Sequence, residues 1–195
     1  MADELRALMS EVPQPVSVVT VDANGQKAGL TVVSLVSLSL EPPLVGVAVR
    51  RQAALHELLR EAGAFAVSIL SAEQDGLAQH FARGVPPIAL WHGIEIREGE
   101  LGAPLLDGAL GWIECRLASE HATGDHTFFV GDVVSATRGP GREALVHLRQ
   151  GYALSRPSSS ISTGCSSTPR SSGTKPGGRS PRSEALTGQR TGSGP

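Results

Sequence analysis

Short segments rich in valine and isoleucine, each followed by a turn signal, recur along the chain and constrain its fold more than any other feature. The clearest are residues 15–21 (PVSVVTV), 29–49 (GLTVVSLVSLSLEPPLVGVAV), 65–70 (FAVSIL), 111–117 (GWIECRL), 128–134 (FFVGDVV) and 144–148 (ALVHL). Their β-branched content is typical of strands, residues 22–25 predict a hairpin turn, and Pro42-Pro43 divides the longest segment into two strands. Six or seven strands with two or three short helices predict a mainly β fold with short helices, a β-barrel rather than a doubly wound sheet.

Apolar residues at helical spacing predict three short helices between these strands. The first ends before Pro13, the second ends at Gly63, and the third begins after Ser71 and ends at Gly84. Ser71 followed by Gln74 is a capping-box signature for the start of the third helix. The apolar positions are Leu5, Leu8 and Met9, then Leu55, Leu58 and Leu59, then Leu77 and Phe81. Weak strands are expected between residues 85 and 108.

The composition changes abruptly after Leu154. Residues 1–155 hold 11 Lys and Arg against 18 Asp and Glu, whereas residues 156–195 hold 6 against 1. The second segment is mostly Ser, Gly, Pro, Thr and Arg, which bury too little apolar surface to offset the entropy of ordering. We therefore predict a folded domain at 1–155 and a disordered tail at 156–195. A flexible or artefactual extension, a basic arm for an anionic partner and a frame-shifted terminus all fit this tail.

Several functional classes are disfavoured by what the sequence lacks. The acidic body argues against nucleic acid as a partner, since phosphate binding needs clustered Lys and Arg. No apolar run approaches the roughly 20 residues of a membrane span, and the acidic amino terminus is not a signal peptide, so we expect a cytoplasmic protein without membrane contact. No P-loop, dinucleotide GxGxxG or GxSxG motif occurs. A nicotinamide cofactor is therefore not expected to be held by a Rossmann fold.

Hydroxyl residues interrupt the longest apolar segment and suggest a ligand. They are Thr31, Ser34, Ser37 and Ser39. Hydroxyls and bare backbone among β-branched residues suit a polar-edged planar ring on a barrel wall, and Arg50-Arg51 before a helix suit a phosphate. Equally, strand hydroxyls can pair across the sheet while both arginines remain solvated. From these residues alone, both interpretations stay open.

A second candidate is Gly124-Asp125-His126, directly before the segment FFVGDVV. The glycine permits a tight turn, the carboxylate can orient the imidazole, and the imidazole at a strand entrance can face a ligand. A surface Asp-His pair is the alternative. His121 and Cys115 lack the paired spacing of a zinc site, so no metal is expected, and two cysteines in all predict no disulfide framework.

The order of these motifs resembles a known family. Residues 29–49, FAVSIL, SAEQDGLAQHF at 71–81, GAPLLDGALGWIECRL at 102–117 and GDHTFFVGDVV at 124–134 together resemble the flavin reductase-like, FMN-binding split-barrel family over residues 13–152. The resemblance implies a homodimer of Greek-key split β-barrels that bind FMN or FAD near the subunit interface. It also implies NADH or NADPH as the reductant. Members of the family often act as the small reductase component of two-component flavin-dependent monooxygenases.

Site residues follow from the resemblance position by position. Cofactor contacts are implied for Thr31, Val32, Val33, Ser34, Ser37, Arg50, Arg51 and Phe81. The first four would line the flavin ring, the two arginines would compete for the phosphate, and Phe81 would lie at the pocket rim. His126 matches the histidine of the family's GDH motif, which is associated with nicotinamide binding and hydride transfer. Ser68 stands where many relatives carry Asn.

The resulting functional hypothesis is an NAD(P)H-dependent flavin reductase that supplies reduced FMN or FAD, with a flavin-dependent oxygenase as a candidate partner. Two alternatives use the same barrel. One is a non-catalytic flavin-binding module, in which nicotinamide does not enter. The other is a flavin-dependent monooxygenase or oxidase, which would yield oxygenated products rather than peroxide and oxidised flavin alone.

Overall fold

The computed structural model describes residues 1–83, 87–149 and 151–154. The predicted helix end at Gly84 and the predicted tail at 156–195 lie outside these residues. Helices within them are α1 (Ala2–Ser10), α2 (Ala54–Ala62), α3 (Asp75–Ala82) and α4 (Pro87–Leu90). Strands are β1 (Gln14–Pro15), β2 (Ser17–Ala23), β3 (Gln26–Val32), β4 (Val36–Leu40), β5 (Pro43–Arg50), β6 (Ala64–Ile69), β7 (Ile96–Glu98), β8 (Pro104–Leu106), β9 (Gly111–Thr123), β10 (His126–Arg138), β11 (Leu145–Leu148) and β12 (Gly151–Leu154).

Seven strands form one antiparallel sheet in the order β3-β2-β6-β9-β10-β5-β4. Hairpins join β2 to β3, β4 to β5, and β9 to β10, whereas the connection after β3 passes to the opposite edge of the sheet, a Greek-key-like step. Ser34, just after β3, bonds to Ala48 on β5: its Oγ accepts from the Ala48 N–H at 2.9 Å and donates to the Ala48 carbonyl at 3.2 Å. The sheet therefore curls so that the end of β3 approaches β5, and the predicted barrel with short helices is confirmed.

Alternating side chains fill the barrel interior. On β5, Val45, Val47 and Val49 point inward and are buried, as the two-residue period of a strand requires. Leu55 and Leu59 of α2 pack into the same cluster. The helix ends at Gly63, whose left-handed φ of 61° is a conformation that glycine adopts without strain. The predicted apolar stripe and helix end are both confirmed.

A second apolar cluster lies where α3 packs on the sheet. It contains Val16, Val18, Leu70, Ala78, Phe81, Leu90, Leu106 and Leu145. The predicted capping box is present, but it caps a 3-10 turn (Ala72–Gln74) that precedes α3: Gln74 Oε1 accepts from the Ser71 N–H at 3.0 Å. The Phe81 ring lies directly over Gly29 of β3, where an alanine Cβ would come within 2.6 Å of the ring. This glycine therefore lets α3 approach the strand closely.

Two smaller sheets complete the described residues, a three-stranded sheet β1-β11-β12 and the pair β7-β8. The latter confirms the weak strands expected between residues 85 and 108. Strands β9 and β10 span 13 residues each, longer than the segments predicted from apolar content. Residues 118–123 are polar or small and exposed, so hydrophobicity alone could not mark them as strand. No helix in the described ranges is long and apolar enough to cross a membrane.

Candidate functional site

A cavity of about 540 Å³ opens at the end of the barrel where β3 and β5 finish and β10 begins. Its walls are Leu30, Thr31, Val32, Val33, Ser34, Ala48, Arg50, Gln52, Ala53, Ala82 and His126. The antiparallel register places His126, the first residue of β10, opposite Arg50, the last residue of β5. The structure thus brings together the ring-wall segment, one of the two arginines and the predicted histidine, which are far apart in sequence.

His126 follows a two-residue turn that begins at Gly124, with a φ of 60°. Its Nδ1 lies 2.7 Å from Oδ1 of Asp125. The hydrogen bond from His126 lowers the pKa of the Asp125 carboxyl, which therefore stays ionised at neutral pH. A carboxylate only accepts, so it draws the imidazole N–H to Nδ1 and fixes the ring. Nε2 makes no hydrogen bond among the described residues and can serve a ligand.

Arg50 gives the cavity its positive charge. It is exposed, and its charge contributes to lowering the pKa of the nearby Asp125 carboxyl. Beyond it, Gln52 and Ala53 lead into α2, whose N-cap residue Ala53 provides no side-chain cap. A guanidinium beside a helix amino terminus attracts anions, because both present N–H donors and positive charge.

The strand hydroxyls are engaged within the protein. Thr31 Oγ1 donates to the Ala78 carbonyl of α3 at 2.7 Å, and Ser34 holds Ala48 as described above. Their hydroxyl hydrogens therefore stabilise the fold, as the cross-strand interpretation expected for Ser34. Only their remaining lone pairs can serve a ring. Because β3 is the edge strand of its sheet, the unpaired edge of its backbone offers further donors and acceptors.

Three predicted contacts do not line this cavity. Ser37 is exposed on β4, opposite Val45, and Arg51 lies in the turn after β5. Phe81, expected at the pocket rim, is 1% exposed and is not among the lining residues. It occupies the inner face of α3, and its neighbour Ala82 lines the cavity instead. Ser68 is likewise buried in β6, where its Oγ accepts from the Leu106 N–H at 3.1 Å.

Five lining residues were not anticipated, namely Leu30, Ala48, Gln52, Ala53 and Ala82. Ala48 had a usable signal, because it lies two residues before Arg50 and so shares its face of β5. Gln52 follows the arginine pair directly. Ala82 had none, since its position depends on how α3 packs on β3.

The remaining reactive groups lie elsewhere. Cys115 is buried in the barrel, and burial raises the pKa of its thiol to about 12, so it is a protonated core residue. Among the described residues, no three His, Cys, Asp or Glu side chains cluster closely enough to hold a metal ion.

Comparisons with known proteins agree on one family. The family described as flavin reductase like domain matches residues 9–154. An NADH-dependent FAD reductase of Streptomyces globisporus is 40% identical over 146 residues, covering 73% of this chain and 80% of that protein. The reductase component of 4-hydroxyphenylacetate 3-monooxygenase from Thermus thermophilus is 36% identical over 152 residues, covering 78% and 95%. The NADH:FAD oxidoreductase of Streptomyces globisporus C-1027, solved with NAD and FAD fragments, has a TM-score of 0.76 at 36% identity, covering 82% and 95%.

Proposed function

This chain belongs to the flavin reductase-like family, and we propose that the cavity between β3, β5 and β10 is where it binds flavin and receives nicotinamide. The fold is the split barrel of that family. The activity is that of an NAD(P)H-dependent flavin reductase with FMN or FAD and NADH. A bound flavin supplies a hydride acceptor at its N5 atom for the hydride carried on nicotinamide C4.

The cavity fits such a ring. Its volume of about 540 Å³ lies within the roughly 300 to 1,000 Å³ typical of small-molecule sites. The walls contributed by Leu30, Val32, Val33 and Ala48 are apolar, while the free edge of β3 offers backbone groups to the polar rim of a ring. Residues 31–34 would therefore contact the ring chiefly through backbone.

Two side chains, Arg50 and His126, would hold the phosphate and the nicotinamide. Arg50, with the start of α2, would bind the phosphate, because the other candidate, Arg51, does not line the cavity. His126, oriented by Asp125, would accept one hydrogen bond at Nε2 and thereby hold the N–H group of the nicotinamide amide in place. The protein's contribution is to align two rings rather than to form a covalent bond. The observation that carries this proposal is the convergence of Arg50, His126 and residues 31–34 on one cavity.

The test is NADH oxidation with added FMN or FAD, comparing His126→Ala with His121→Ala. His121 is a matched control, because it lies on the same β9–β10 hairpin but outside the cavity, with Ser119 as its hydrogen-bond partner. Loss of one hydrogen bond made to the aligned nicotinamide should lower kcat/KM for NADH by roughly tenfold in His126→Ala and leave His121→Ala near wild type. Unchanged turnover in His126→Ala would remove His126 from the mechanism.

Two further measurements separate the rival functions. Bound flavin whose colour survives anaerobic NADH and NADPH would indicate a non-catalytic binding module. Oxygenated aromatic products in the absence of a second protein would indicate a monooxygenase. A reductase yields only peroxide and oxidised flavin.

We extend the proposal to partners and location. Relatives named as reductase components of a monooxygenase and a halogenase suggest that the reduced flavin is passed to a flavin-dependent oxygenase. The use of a nicotinamide reductant favours the cytoplasm.

A homodimer is also proposed, through the edge strand β4. Leu40 is 82% exposed, Val36 and Leu38 are also exposed, and this strand continues directly from the cavity segment. Exposed apolar edge strands readily pair with another chain. Leu38→Lys should shift the protein toward monomer in sedimentation experiments, whereas Ile96→Lys, on the exposed strand β7, should not. An unchanged dimer in Leu38→Lys would place the interface elsewhere.

A further inference from the structure

His56, in the first turn of α2, is a buried titratable residue that the proposed reaction does not use. It is 2% exposed, and both ring nitrogens have partners: Nδ1 lies 2.8 Å from Glu57 Oε1, and Nε2 lies 2.8 Å from Thr127 Oγ1. The bond with His56 lowers the pKa of the Glu57 carboxyl, so this carboxylate is ionised at neutral pH and only accepts. With an N–H at Nδ1 directed to this carboxylate, Nε2 accepts from the Thr127 hydroxyl.

Thr127 stands directly behind His126. Consecutive side chains of a strand point to opposite faces, so Thr127 faces inward while His126 faces the cavity. Thr127 is 3% exposed, and Phe129, on the same inner face, meets the His56 ring edge-on with centroids 5.3 Å apart. The inner face at the start of β10 is thus held by one imidazole.

The contacts continue from α2 to the other strand of the hairpin. Arg60 donates to Glu57 at 3.2 Å and makes two hydrogen bonds to Glu120 of β9, at 2.7 and 2.9 Å. These outer groups are solvent-accessible, and exposed ion pairs add little stability. Of these hydrogen bonds, the buried one between His56 and Thr127 is therefore the one whose loss should destabilise the start of β10.

We propose that His56 is a positioning residue. Through Thr127 it holds the first residues of strand β10 in place, so that His126 keeps its imidazole directed into the cavity. This inference rests on the function proposed above, because the role of His126 does. His56 itself lines no part of the cavity, and its effect should pass entirely through the strand.

The first experiment needs no flavin and no turnover. Amide hydrogen exchange of a peptide covering residues 124–130 is compared among wild type, Thr127→Val and Thr20→Val. Thr20 is a matched control, being a buried strand threonine whose Oγ1 donates to the Pro104 carbonyl at 2.6 Å, away from the cavity. Exchange in this peptide should rise about fivefold in Thr127→Val, as expected for one lost hydrogen bond, and stay unchanged in Thr20→Val.

The second experiment is a double-mutant cycle on the KM for NADH. Thr127→Val or His56→Leu alone should raise this KM by about fivefold, but by less than about twofold when His126 is already alanine. Thr127→Ser should restore the wild-type value, because it returns the hydroxyl. Flavin affinity, measured by fluorescence quenching, should stay constant in the Thr127 variants, whose side chain does not line the cavity.

Either of two results would overturn the inference: equal effects of Thr127→Val with and without His126, or equal exchange changes in Thr20→Val and Thr127→Val. A wild-type protein that binds FMN but does not oxidise NADH would instead refute the proposed function. The exchange experiment would still decide whether His56 holds β10. If His56→Leu does not fold, Thr127→Val gives the same answer, because it removes the hydroxyl and keeps the imidazole.

Discussion

Phe81→Ala is expected to lower the free energy of unfolding by about 3 to 5 kcal/mol, the range for truncating a fully buried phenylalanine. The ring is 1% exposed, packs on Gly29 and meets Trp91 edge-on at 5.4 Å between centroids. Glycine cannot fill the space left by the ring, so a cavity should remain between α3 and β3. Urea unfolding followed by fluorescence or circular dichroism measures the loss.

Flavin affinity of the folded fraction decides between the core position and the predicted rim position. A core residue should leave this affinity within about threefold of wild type, because only its neighbour Ala82 touches the cavity. Phe128→Ala is the control: that ring also packs on a glycine, Gly46, but is only partly buried, and its removal should cost less. Near-wild-type stability combined with a large loss of flavin affinity would show instead that Phe81 contacts the flavin.

Features set by neighbouring residues could be predicted from the sequence. The glycine that ends α2 and the Ser71–Gln74 capping box each depend on a few consecutive positions. Local propensity and period therefore identified them correctly. The number of short strands predicted the barrel, and the resemblance of five ordered motifs added the family.

Features set by tertiary contacts could not be predicted in this way. The Thr31 hydroxyl donates to a carbonyl that lies 47 residues away in the sequence. His56 forms a hydrogen bond with Thr127 across 71 residues of sequence. Whether a strand hydroxyl faces a ligand or a helix depends on how these elements pack, which no local pattern encodes. For the same reason His56 carried no signal in the sequence and acquired one only from its two partners.

The sequence left Arg50 and Arg51 as competing candidates for the flavin phosphate, and the structure predicts different effects of the two on FMN affinity. Both residues follow β5, but only Arg50 lines the cavity, opposite His126 in the register of β5 and β10. Arg50→Ala should weaken FMN binding roughly 10-fold to 100-fold, the equivalent of a lost charge-assisted hydrogen bond to phosphate. Arg51→Ala, a matched control one residue away, should change it by less than about threefold.

Riboflavin, which has the same ring without a phosphate, locates the contact. If Arg50 binds phosphate, then Arg50→Ala should leave riboflavin affinity unchanged, and wild type should prefer FMN by at least the factor that the variant loses, since the start of α2 also contributes. Fluorescence quenching at fixed ionic strength measures both affinities, since salt screens an exposed arginine. Equal losses of FMN and riboflavin affinity in Arg50→Ala would show that Arg50 contacts the ring rather than the phosphate. A larger loss of FMN affinity in Arg51→Ala than in Arg50→Ala would show that Arg51 binds the phosphate.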